Sequence, residues 1–322
     1  MTKSVLITGV TGYLGNHVAK AFKKKDWIVH GFDNKHTTNP YLDVFTPGDV
    51  TDPASLDRLF ATWKFDMVVH LAARIEAGIS VKEPHTFYQT NTGGTANVVK
   101  AMIDHGVDKI VFSSTAAVYK TKDEPIKETD PLEFNSPYGH SKQMAEEIIQ
   151  RSGLKYTIFR FFNLTGADPD GEFGEAHEPE THLIPRLIMN QENGKFIING
   201  TDYPTEDGTN VRDYVHVTDV AEAIYDGAKH IISSGQSDIF NLGCGTGYGI
   251  MQIIDELEIC SGKKVKYKIG PRRQGDAVSL IADITKAKEV LKYTRRYDIV
   301  SILNTAYKWH NRDTDEETTS KV

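Results

Sequence analysis

The sequence predicts an α/β protein with a doubly wound parallel sheet and a second, smaller mixed α/β lobe. Short apolar runs alternate with stretches of helical composition through the first half of the chain, and a glycine-rich turn follows the first apolar run. Nearly continuous hydrophobic strands that alternate with helices are typical of parallel sheets covered on both faces. From about residue 166 the alternation loosens, which indicates a smaller lobe whose segments interleave with the first domain.

The elements of the first half follow in regular order. Each predicted strand is a short run rich in β-branched or aromatic residues. The predicted strands are residues 4–8, 27–32, 67–71, 109–113 and 156–162, and the predicted helices are residues 14–25, 53–63, 91–105 and 138–152. We therefore expect one domain over residues 1–165 plus about 203–243, a substrate lobe over about 166–202 and 244–312, and a flexible polar tail over 313–322.

The composition indicates a globular protein that binds a small molecule. Of the 322 residues, 37 are basic and 44 are acidic, so the net charge is −7 and gives no electrostatic footprint for nucleic acid. No apolar run approaches the roughly 18 residues of a membrane span, and the N-terminus lacks a signal-peptide pattern. Cys244 and Cys260 are the only cysteines, too few for a disulfide framework or a thiolate zinc site. We expect a cytoplasmic protein that holds no metal and contacts no membrane.

A glycine loop directly after the first strand predicts a dinucleotide site. In GVTGYLG, Gly9, Gly12 and Gly15 let the chain turn tightly and approach a pyrophosphate at the N-terminus of the next helix. The second strand leads to Asp33, whose carboxylate can accept both ribose hydroxyls of an adenosine and would repel a 2′-phosphate. These features indicate a Rossmann domain that favours NAD over NADP. A second glycine cluster, residues 243–249, has no following strand that ends in an acid, and we interpret it as a loop between the lobes.

A tyrosine and a lysine in SPYGHSK form a candidate catalytic pair. Tyr138 and Lys142 stand four residues apart and therefore lie on one face of a helix. A phenol has an ordinary pKa of about 10, and a cation one turn away, beside a positive nicotinamide, would lower that pKa and make the phenol a better base. Ser113, Ser114 and Thr115 end the fourth strand at the sheet edge where open α/β folds bind ligands. We expect Thr115 to hand a proton to Tyr138 or to hold a sugar oxygen.

Together these motifs resemble the extended short-chain dehydrogenase/reductases, and within them the UDP-galactose (UDP-glucose) 4-epimerases. The resemblance covers nearly the whole chain. Its landmarks are GVTGYLG (9–15), DVTD (49–52), HLAA (70–73), NTGGT (91–95), SSTAAVY (113–119), SPYGHSK (136–142), RFFNLTGADPDG (160–171), YPTEDGTNVRDYVHV (203–217) and PRRQGD (271–276). The resemblance implies NAD as the cofactor, a UDP-sugar as the substrate and a homodimer formed through paired helices, which here would include residues 91–105 and 138–152.

The resemblance also implies roles for individual residues. The catalytic residues would be Thr115, Tyr138 and Lys142. The NAD site would contain Gly9, Gly12, Tyr13, Leu14, Gly15, Asp33, Asn34, Asp49, Val50, Leu71, Ala72, Ala73, Asn91, Ser113, Tyr138, Lys142 and Phe162. The UDP-sugar would contact Thr115, Tyr138, Asn163, His182, Leu183, Asn199, Arg212, Arg273 and Asp276. The two arginines would face the diphosphate, because guanidinium groups match phosphate geometry and stay charged, and the last aspartate would hold a uridine ribose hydroxyl.

The implied reaction is the redox-neutral 4-epimerisation of a UDP-hexose, UDP-glucose or UDP-galactose, through a transient 4-keto sugar. Tyr138 would take the proton of the 4-hydroxyl while a hydride passes from C4 to NAD, and the hydride would return to the other face of the keto sugar. We therefore expect the cofactor to remain bound through turnover.

Several alternatives share parts of this prediction. The substrate could be another UDP-sugar, namely UDP-GlcNAc or UDP-GalNAc, a UDP-pentose or a UDP-uronate. A 4-keto nucleotide-sugar reductase would use the same three residues but would consume NAD(P)H, and a non-catalytic dinucleotide sensor would not need all three. In related 4,6-dehydratases and decarboxylases acidic residues commonly follow the threonine, whereas Ala116 and Ala117 follow here, which argues against elimination of water.

The chain departs from the family pattern on the cofactor side in two places. The segment between Asp33 and Asp49 is shorter than usual, which would leave the adenine pocket more open. After HLAA, where the family often has a lysine, the chain has Arg74, Ile75 and Glu76.

The substrate side also departs from the pattern. His182 aligns with a usual asparagine beside the diphosphate, and Asn199 aligns with a frequent aromatic near the uracil. Leu280 falls where a tyrosine closes the sugar pocket against 2-acetamido groups in some relatives, so we expect Leu280 to influence the choice of sugar.

Overall fold

A computed structural model describes residues 2–273 and 276–319, with side chains as far as residue 312 in the last helix. The strands are β1 (Ser4–Thr8), β2 (Ile28–Asp33), β3 (Val44–Pro47), β4 (Met67–His70), β5 (Lys109–Thr115), β6 (Lys155–Phe161), β7 (Asn163–Thr165), β8 (Phe196–Asn199), β9 (Val211–His216), β10 (Asp238–Leu242), β11 (Gly247–Gly249), β12 (Tyr267–Gly270) and β13 (Ser279–Leu280). The α-helices are α1 (Tyr13–Lys23), α2 (Pro53–Thr62), α3 (Ala77–Ser80), α4 (Pro84–Phe87), α5 (Gly94–Asp104), α6 (Pro137–Arg151), α7 (Leu183–Met189), α8 (Val217–Ser234), α9 (Ile250–Ser261), α10 (Thr285–Leu291) and α11 (Ile299–Thr319). A π-helical segment spans Tyr88–Gly93, and a 3-10 turn spans Ala116–Val118.

Seven parallel strands form the main sheet in the order β10-β6-β5-β4-β1-β2-β3. The chain leaves β1 for β2 on one side and later returns to β4 on the other side, so the strand order reverses beside β1. Such a reversal creates a crevice outside the carboxyl ends of the strands, where ligands bind. Thr8 pairs with Phe32 on one neighbour and with His70 on the other, so the loops after β1, β2 and β4 leave the sheet at the same level.

The five predicted strands of the first half all belong to this sheet, and each lies within two residues of its predicted bounds. The predicted helices correspond to α1, α2, α5 and α6. The sequence analysis did not single out the two edge strands, β3 and β10. The sequence of β3, VFTP, ends in a proline, which a sheet tolerates at an edge because the missing N–H leaves no inner ladder bond unmade.

Buried apolar clusters cover both faces of the main sheet. Ile7 packs in one cluster with Phe22 of α1 and Ile224 of α8. Leu6 packs in the other cluster with Phe60 of α2. Because successive strand residues point to opposite faces, both of these neighbours have to be apolar, which explains the unbroken hydrophobic runs in the sequence.

A third buried cluster joins α7, β8, α9 and α11, with Leu187, Ile198, Ile254 and Leu303 among its members. Nearby, β9 pairs in parallel with β7 and β13 and antiparallel with β11, while β12 and β8 form a separate parallel pair. Part of the segment 282–293 packs with the main-sheet cluster instead of the third cluster. Segments from late in the chain therefore contribute to both. The proposed division into an NAD domain and a substrate lobe stays a prediction.

Helix α11 reaches into the region expected to be a flexible tail and continues to Thr319, and residues 320–322 lie outside the described residues. Within the ranges 2–273 and 276–319, none of the helices combines the length and apolar character needed to cross a membrane.

Candidate active site

A cleft of about 1190 Å³ opens where the main sheet reverses its strand order, and residues beyond position 161 form its other side. Nearly all of the residues predicted for the site line this cleft. They are Gly9, Gly12, Tyr13, Leu14, Gly15, Asp33, Asn34, Asp49, Val50, Leu71, Ala72, Ala73, Ser113, Thr115, Tyr138, Lys142, Phe162, Asn163, His182, Leu183, Asn199, Arg212, Arg273 and Asp276.

Asn91 is the exception, because its buried side chain lies behind the cleft wall. Its amide nitrogen donates to the carbonyl of Arg74 at 3.0 Å, and its amide oxygen accepts from the Arg74 N–H at 2.8 Å. It also donates to the Ser141 hydroxyl at 2.9 Å. Asn91 therefore fixes the loop after β4 against α6, and its place in the NAD site stays a prediction.

The glycine loop is packed too closely to accept side chains. A Cβ on Gly9, where φ is +73°, would lie 2.6 Å from the backbone nitrogen of Ala72. A Cβ on Gly15 would lie 2.2 Å from the carbonyl oxygen of Gly9, whereas real Cβ atoms essentially never come within 3.0 Å. The first turn of α1 lines the cleft behind Gly12, and no side chain caps it. This helix end therefore offers free N–H groups to an anion such as a pyrophosphate.

Two carboxylates lie at the adjoining end of the cleft. Asp33 is the last residue of β2, at the carboxyl edge of the sheet. Its Oδ2 accepts from the N–H of Thr11 in the glycine loop at 3.0 Å. Asn34 donates to Asp49 at 3.1 Å. Although burial raises it, hydrogen bonds from Thr51 and Asn34 hold the pKa of Asp49 below its ordinary value. This end of the cleft suits ribose hydroxyls and disfavours an added phosphate.

The three predicted catalytic residues meet in the cleft. Thr115 ends β5, while Tyr138 and Lys142 lie in the first two turns of α6. Ser136 begins this helix, because its hydroxyl accepts from the N–H of Gly139 at 3.2 Å. The Thr115 hydroxyl lies near enough to Tyr138 to lower the pKa of its phenol. A strand end and a capped helix start therefore hold the group in place.

Burial dominates the protonation of this group. Burial raises the pKa of Tyr138 above its ordinary value of 10.0, the Thr115 side chain lowers it and the charge of Glu76 raises it further. Burial lowers the pKa of Lys142 to about 7, although the charge of Glu146 opposes the shift. We expected Lys142, together with a nicotinamide cation, to lower the pKa of Tyr138. Within the protein the pKa of Tyr138 is raised instead. The free-energy cost of removing the phenolate from water exceeds the stabilisation that neighbouring groups give it.

Two neutral rings, those of Phe112 and His70, lie near Lys142. Its Nζ lies 4.3 Å from the centre of the Phe112 ring. His70 is buried between two hydroxyls, with Nδ1 2.7 Å from Thr8 Oγ1 and Nε2 3.0 Å from Thr95 Oγ1. Burial and the charge of Lys142 lower the pKa of His70 to about 3, so this ring stays neutral.

A buried ion-pair network lies behind the catalytic residues. Arg160 Nη2 donates to Glu146 Oε2 at 2.6 Å, and the Ser114 hydroxyl donates to the other carboxylate oxygen. Arg160 also donates to the Tyr119 hydroxyl at 2.9 Å. Glu146 stands one turn after Lys142 on α6, so the network fixes that helix to β5 and β6. The sequence analysis missed this network, although the spacing from Lys142 to Glu146 was a usable signal.

Two arginines face the cleft from the opposite side. Arg212 on β9 donates to the carbonyl of Ala277 at 2.9 Å and lies 3.9 Å from Asp276. With its amide oxygen turned toward Arg273, Asn199 accepts from two guanidinium nitrogens at 3.1 Å each. The expected aromatic position is therefore occupied by a residue that orients an arginine. The two guanidinium groups make this side of the cleft suitable for a diphosphate.

The remaining substrate-side residues lie at the entrance to α7. Leu183 begins this helix, and the His182 ring contacts the buried Glu175, with Nδ1 2.5 Å from Oε1. His177 contacts the same carboxylate at 3.1 Å. Asn163 donates to the carbonyl of Asp213 at 3.1 Å. Glu175 and His177 line the cleft but were not singled out from the sequence.

Two departures from the family pattern have different outcomes. Glu76 lines the cleft and its charge acts on Tyr138, so an acid does approach the catalytic group, from the loop after β4. Leu280 pairs with Arg212 across β13 and β9 and packs against the main-sheet cluster. Leu280 is half-buried and is the strand partner of Arg212, which lines the cleft, so its influence on the choice of sugar stays a prediction.

These residues fit a bound NAD. The glycine positions form a cradle that a Cβ would fill, the first turn of α1 is uncapped, and Asp33 supplies acceptors beside it. A tyrosine and a lysine one helical turn apart lie in the same cleft. The fold and the site together define a dinucleotide-dependent enzyme of the short-chain dehydrogenase/reductase class.

The chain belongs to the NAD dependent epimerase/dehydratase family, whose sequence profile matches residues 5–243. It is 40% identical over 319 residues to the UDP-glucose 4-epimerase of Lactobacillus helveticus, covering 95% of this chain and 96% of that protein. UDP-glucose 4-epimerase from Brucella ovis in complex with NAD matches this structure with a TM-score of 0.91 at 35% identity, covering 95% of this chain and 98% of that one. The Bifidobacterium longum enzyme in complex with NAD⁺ and UDP matches with a TM-score of 0.88 at 31% identity, covering 97% and 99%. The predicted family, fold class and cofactor are confirmed.

Proposed function

We propose that this protein is a UDP-glucose 4-epimerase that interconverts UDP-glucose and UDP-galactose with NAD held in the cleft. The observation that carries this proposal is the continuity of the site. One cleft contains the glycine cradle, the group of Thr115, Tyr138 and Lys142, and the guanidinium groups of Arg212 and Arg273. A base would therefore share one cleft with the dinucleotide and the diphosphate.

The proposed chemistry divides between the cofactor and the protein. NAD, when bound, supplies the hydride acceptor and donor for C4 of the sugar, so no net oxidation occurs. Tyr138 accepts the proton of the sugar 4-hydroxyl and returns a proton to the opposite epimer. Thr115, which lines the same cleft, would hold the sugar oxygen or pass a proton to Tyr138. Because burial raises the pKa of Tyr138, its phenolate is a strong base once it forms.

The substrate side supports a UDP-sugar. Arg212 and Arg273 would bind the diphosphate, and Asp276 would accept a uridine ribose hydroxyl. Ala116 and Ala117 form the turn after Thr115 and supply no carboxylate there, which disfavours elimination of water. These features support epimerisation over dehydration.

We also propose a cytoplasmic homodimer. Cys244 and Cys260 are both free, which suits a reducing compartment. Ile103 on α5 and Met144 on α6 are exposed at 51% and 38%, and a second copy of this chain would cover them. Sedimentation should give twice the chain mass, and Met144→Glu should shift the protein toward the monomer. A monomeric wild-type protein would remove the dimer proposal.

The test uses the purified protein without added NAD. It is incubated separately with UDP-galactose, UDP-GlcNAc, UDP-xylose and UDP-glucuronate, and the products are identified by NMR. We expect UDP-glucose from UDP-galactose, at the highest rate of the panel. Accumulation of a 4-keto-6-deoxy sugar, or a strict need for stoichiometric NAD(P)H, would overturn the proposal.

A further inference from the structure

Four side chains with metal-binding atoms converge in the segment that precedes α7. They are Glu175, His177, Glu180 and His182, and one ligand atom of each lies within 4.8 Å of all the others. Their spacing in the chain, Glu-x-His-x-x-Glu-x-His, brings two imidazoles and two carboxylates together from eight consecutive positions. None of these groups is needed for the proton transfer proposed for Tyr138.

The separations suit a single small cation. His182 Nδ1 lies 2.5 Å from Glu175 Oε1 and 3.2 Å from Glu180 Oε1, and His177 Nδ1 lies 3.1 Å from Glu175 Oε1. A tetrahedral zinc site with bonds of about 2.0–2.1 Å has ligand atoms roughly 3.3 Å apart. His182 Nδ1 is shielded from solvent, yet neither of its carboxylate contacts has hydrogen-bond geometry. This nitrogen therefore faces both carboxylates without a matched hydrogen bond to either.

Two of the four side chains are buried carboxylates, which favour a cation beside them. The side chains of Glu175 and Glu180 are only 3% and 6% exposed, so two carboxylates are held away from water. A divalent ion with neutral imidazoles would balance both negative charges.

The backbone around the cluster is already fixed. The carbonyl of Glu175 accepts from Trp309 Nε1 at 2.9 Å, and the Trp309 ring packs where a Cβ on Gly174 would be. Glu180 Oε1 accepts from the N–H groups of Thr181 and His182 at 2.7 and 2.8 Å. Such supporting contacts orient metal ligands before the ion arrives.

We propose that Glu175, His177, Glu180 and His182 bind one divalent transition-metal ion with the nitrogen and oxygen preference of Zn²⁺. The ion closes the segment 175–182 into a rigid wall of the cleft and fixes the start of α7. Because all four ligands come from the protein, the site is structural, and the metal takes no part in the reaction.

The test measures metal binding by the full-length protein with its NAD. After treatment with a chelator, the protein is equilibrated with Zn²⁺ and desalted, and its zinc content is measured by mass spectrometry. We expect about one zinc ion per chain, as for a closed four-ligand site. Co²⁺ should compete for the same site and give the visible absorption of a tetrahedral complex.

Three variants decide the assignment. His177→Ala combined with His182→Ala should abolish stoichiometric binding, and Glu180→Gln, which keeps the side-chain shape, should weaken binding about 10–100-fold. His105→Ala is the matched control, because His105 forms a histidine–carboxylate pair with Asp57 outside the cleft lining and should leave binding unchanged. If the double variant does not fold, as judged by circular dichroism, Glu180→Gln gives the answer. Substoichiometric zinc in the wild-type protein, or unchanged affinity in Glu180→Gln, would overturn the proposal.

Discussion

The two walls of the cleft are built differently. The cofactor wall comprises residues 9–15, 33–34, 113–115 and 138–142, which lie at the ends of main-sheet strands and in the first turns of α1 and α6. The substrate wall comprises residues 163, 175–177, 181–183, 199, 212, 273 and 276, which come from short strands, the start of α7 and the loops between them. The comparison suggests that the chemistry is fixed by the rigid sheet, whereas the choice of substrate depends on segments that the fold constrains less.

The largest expected effect concerns the base of the cofactor wall. Tyr138→Phe removes the hydroxyl while the ring remains, so turnover should fall about 10³-fold, within the range for loss of a general base. Epimerase rates by NMR and NAD content by absorbance would measure the two consequences, and NAD should stay bound. Tyr267→Phe, on β12, is the control and should keep full activity. Near-normal turnover by Tyr138→Phe would remove this residue from the chemistry.

The next effect tests whether the cofactor wall depends on backbone packing. A methyl on Gly15 would meet the carbonyl of Gly9 at 2.2 Å, so Gly15→Ala should push the loop away from the pyrophosphate. We expect NAD binding about 100-fold weaker, equivalent to roughly 3 kcal/mol, measured by calorimetry with the NAD-free protein. Gly78→Ala is the control, because no atom lies within 4 Å of its added Cβ. Equal NAD affinity of both variants would contradict the claim that close packing of the glycine loop is needed to bind NAD.

On the substrate wall, removal of a side chain should weaken substrate binding and leave the rate of the chemical step nearly unchanged. Arg212→Ala removes a charged donor to the diphosphate, so KM should rise about 10–100-fold, consistent with roughly 1.5–3 kcal/mol for a charged hydrogen bond. The kcat should change only a few-fold and NAD content should stay constant in steady-state assays. Arg58→Ala, with a side chain 70% exposed, is the control. A fall in kcat at unchanged KM would contradict a role of Arg212 in substrate binding alone.

The cofactor wall should also be the less stable one at low pH. Burial depresses the pKa of Lys142 to about 7, below the ordinary value of 10.5, so the folded protein binds this proton less readily than the unfolded chain. The destabilisation is full below about pH 7 and disappears as pH rises toward 10.5. Lys142→Met should therefore stabilise the protein by roughly 2 kcal/mol at pH 6 and by much less at pH 10.

Chemical denaturation at both pH values would measure this difference. Lys109→Met, on the half-exposed end of β5, is the control and should show no comparable pH dependence. A stability gain for Lys142→Met that is independent of pH would mean that packing, and not the buried charge, causes it.

The smallest effect concerns Glu76, whose charge raises the pKa of Tyr138. Glu76→Gln removes that charge, so the pKa of Tyr138 should fall and the base should form at lower pH. The acidic limb of the profile of kcat/KM against pH should move down by about 0.5 unit, the size expected for a partly screened charge. Glu83→Gln, in the same loop region, is the control. A shift to higher pH would contradict the electrostatic role of Glu76.

The sequence predicted the cofactor wall better than the substrate wall, for a physical reason. Gly9, Asp33 and Tyr138 belong to local patterns in which strand, turn and helix follow one another, so short spacing determines their positions. The raised pKa of Tyr138 was not predictable, because burial depends on the packing of the whole site. The position of Asn91 behind the wall likewise follows from how the loop after β4 packs on α6.

On the substrate wall, tertiary structure decided the outcome. Leu280 is expected to influence the choice of sugar, and only the pairing of β13 with β9 places it beside Arg212 and partly against the main-sheet cluster. The cluster of two histidines and two glutamates was present in the sequence as a regular spacing, yet only the folding of residues 175–182 brings the four groups together. Metal-ligand spacing without cysteine was the signal that could have found it.

The central claim is that hydrogen leaves and returns at C4 of the sugar within one closed site. The direct measurement is NMR of the product formed from UDP-galactose that carries deuterium at C4, in ordinary water and without added NAD. We expect UDP-glucose that keeps its deuterium at C4, because the hydride never exchanges with solvent. Loss of the deuterium to water, or no product in the absence of added NAD, would contradict it.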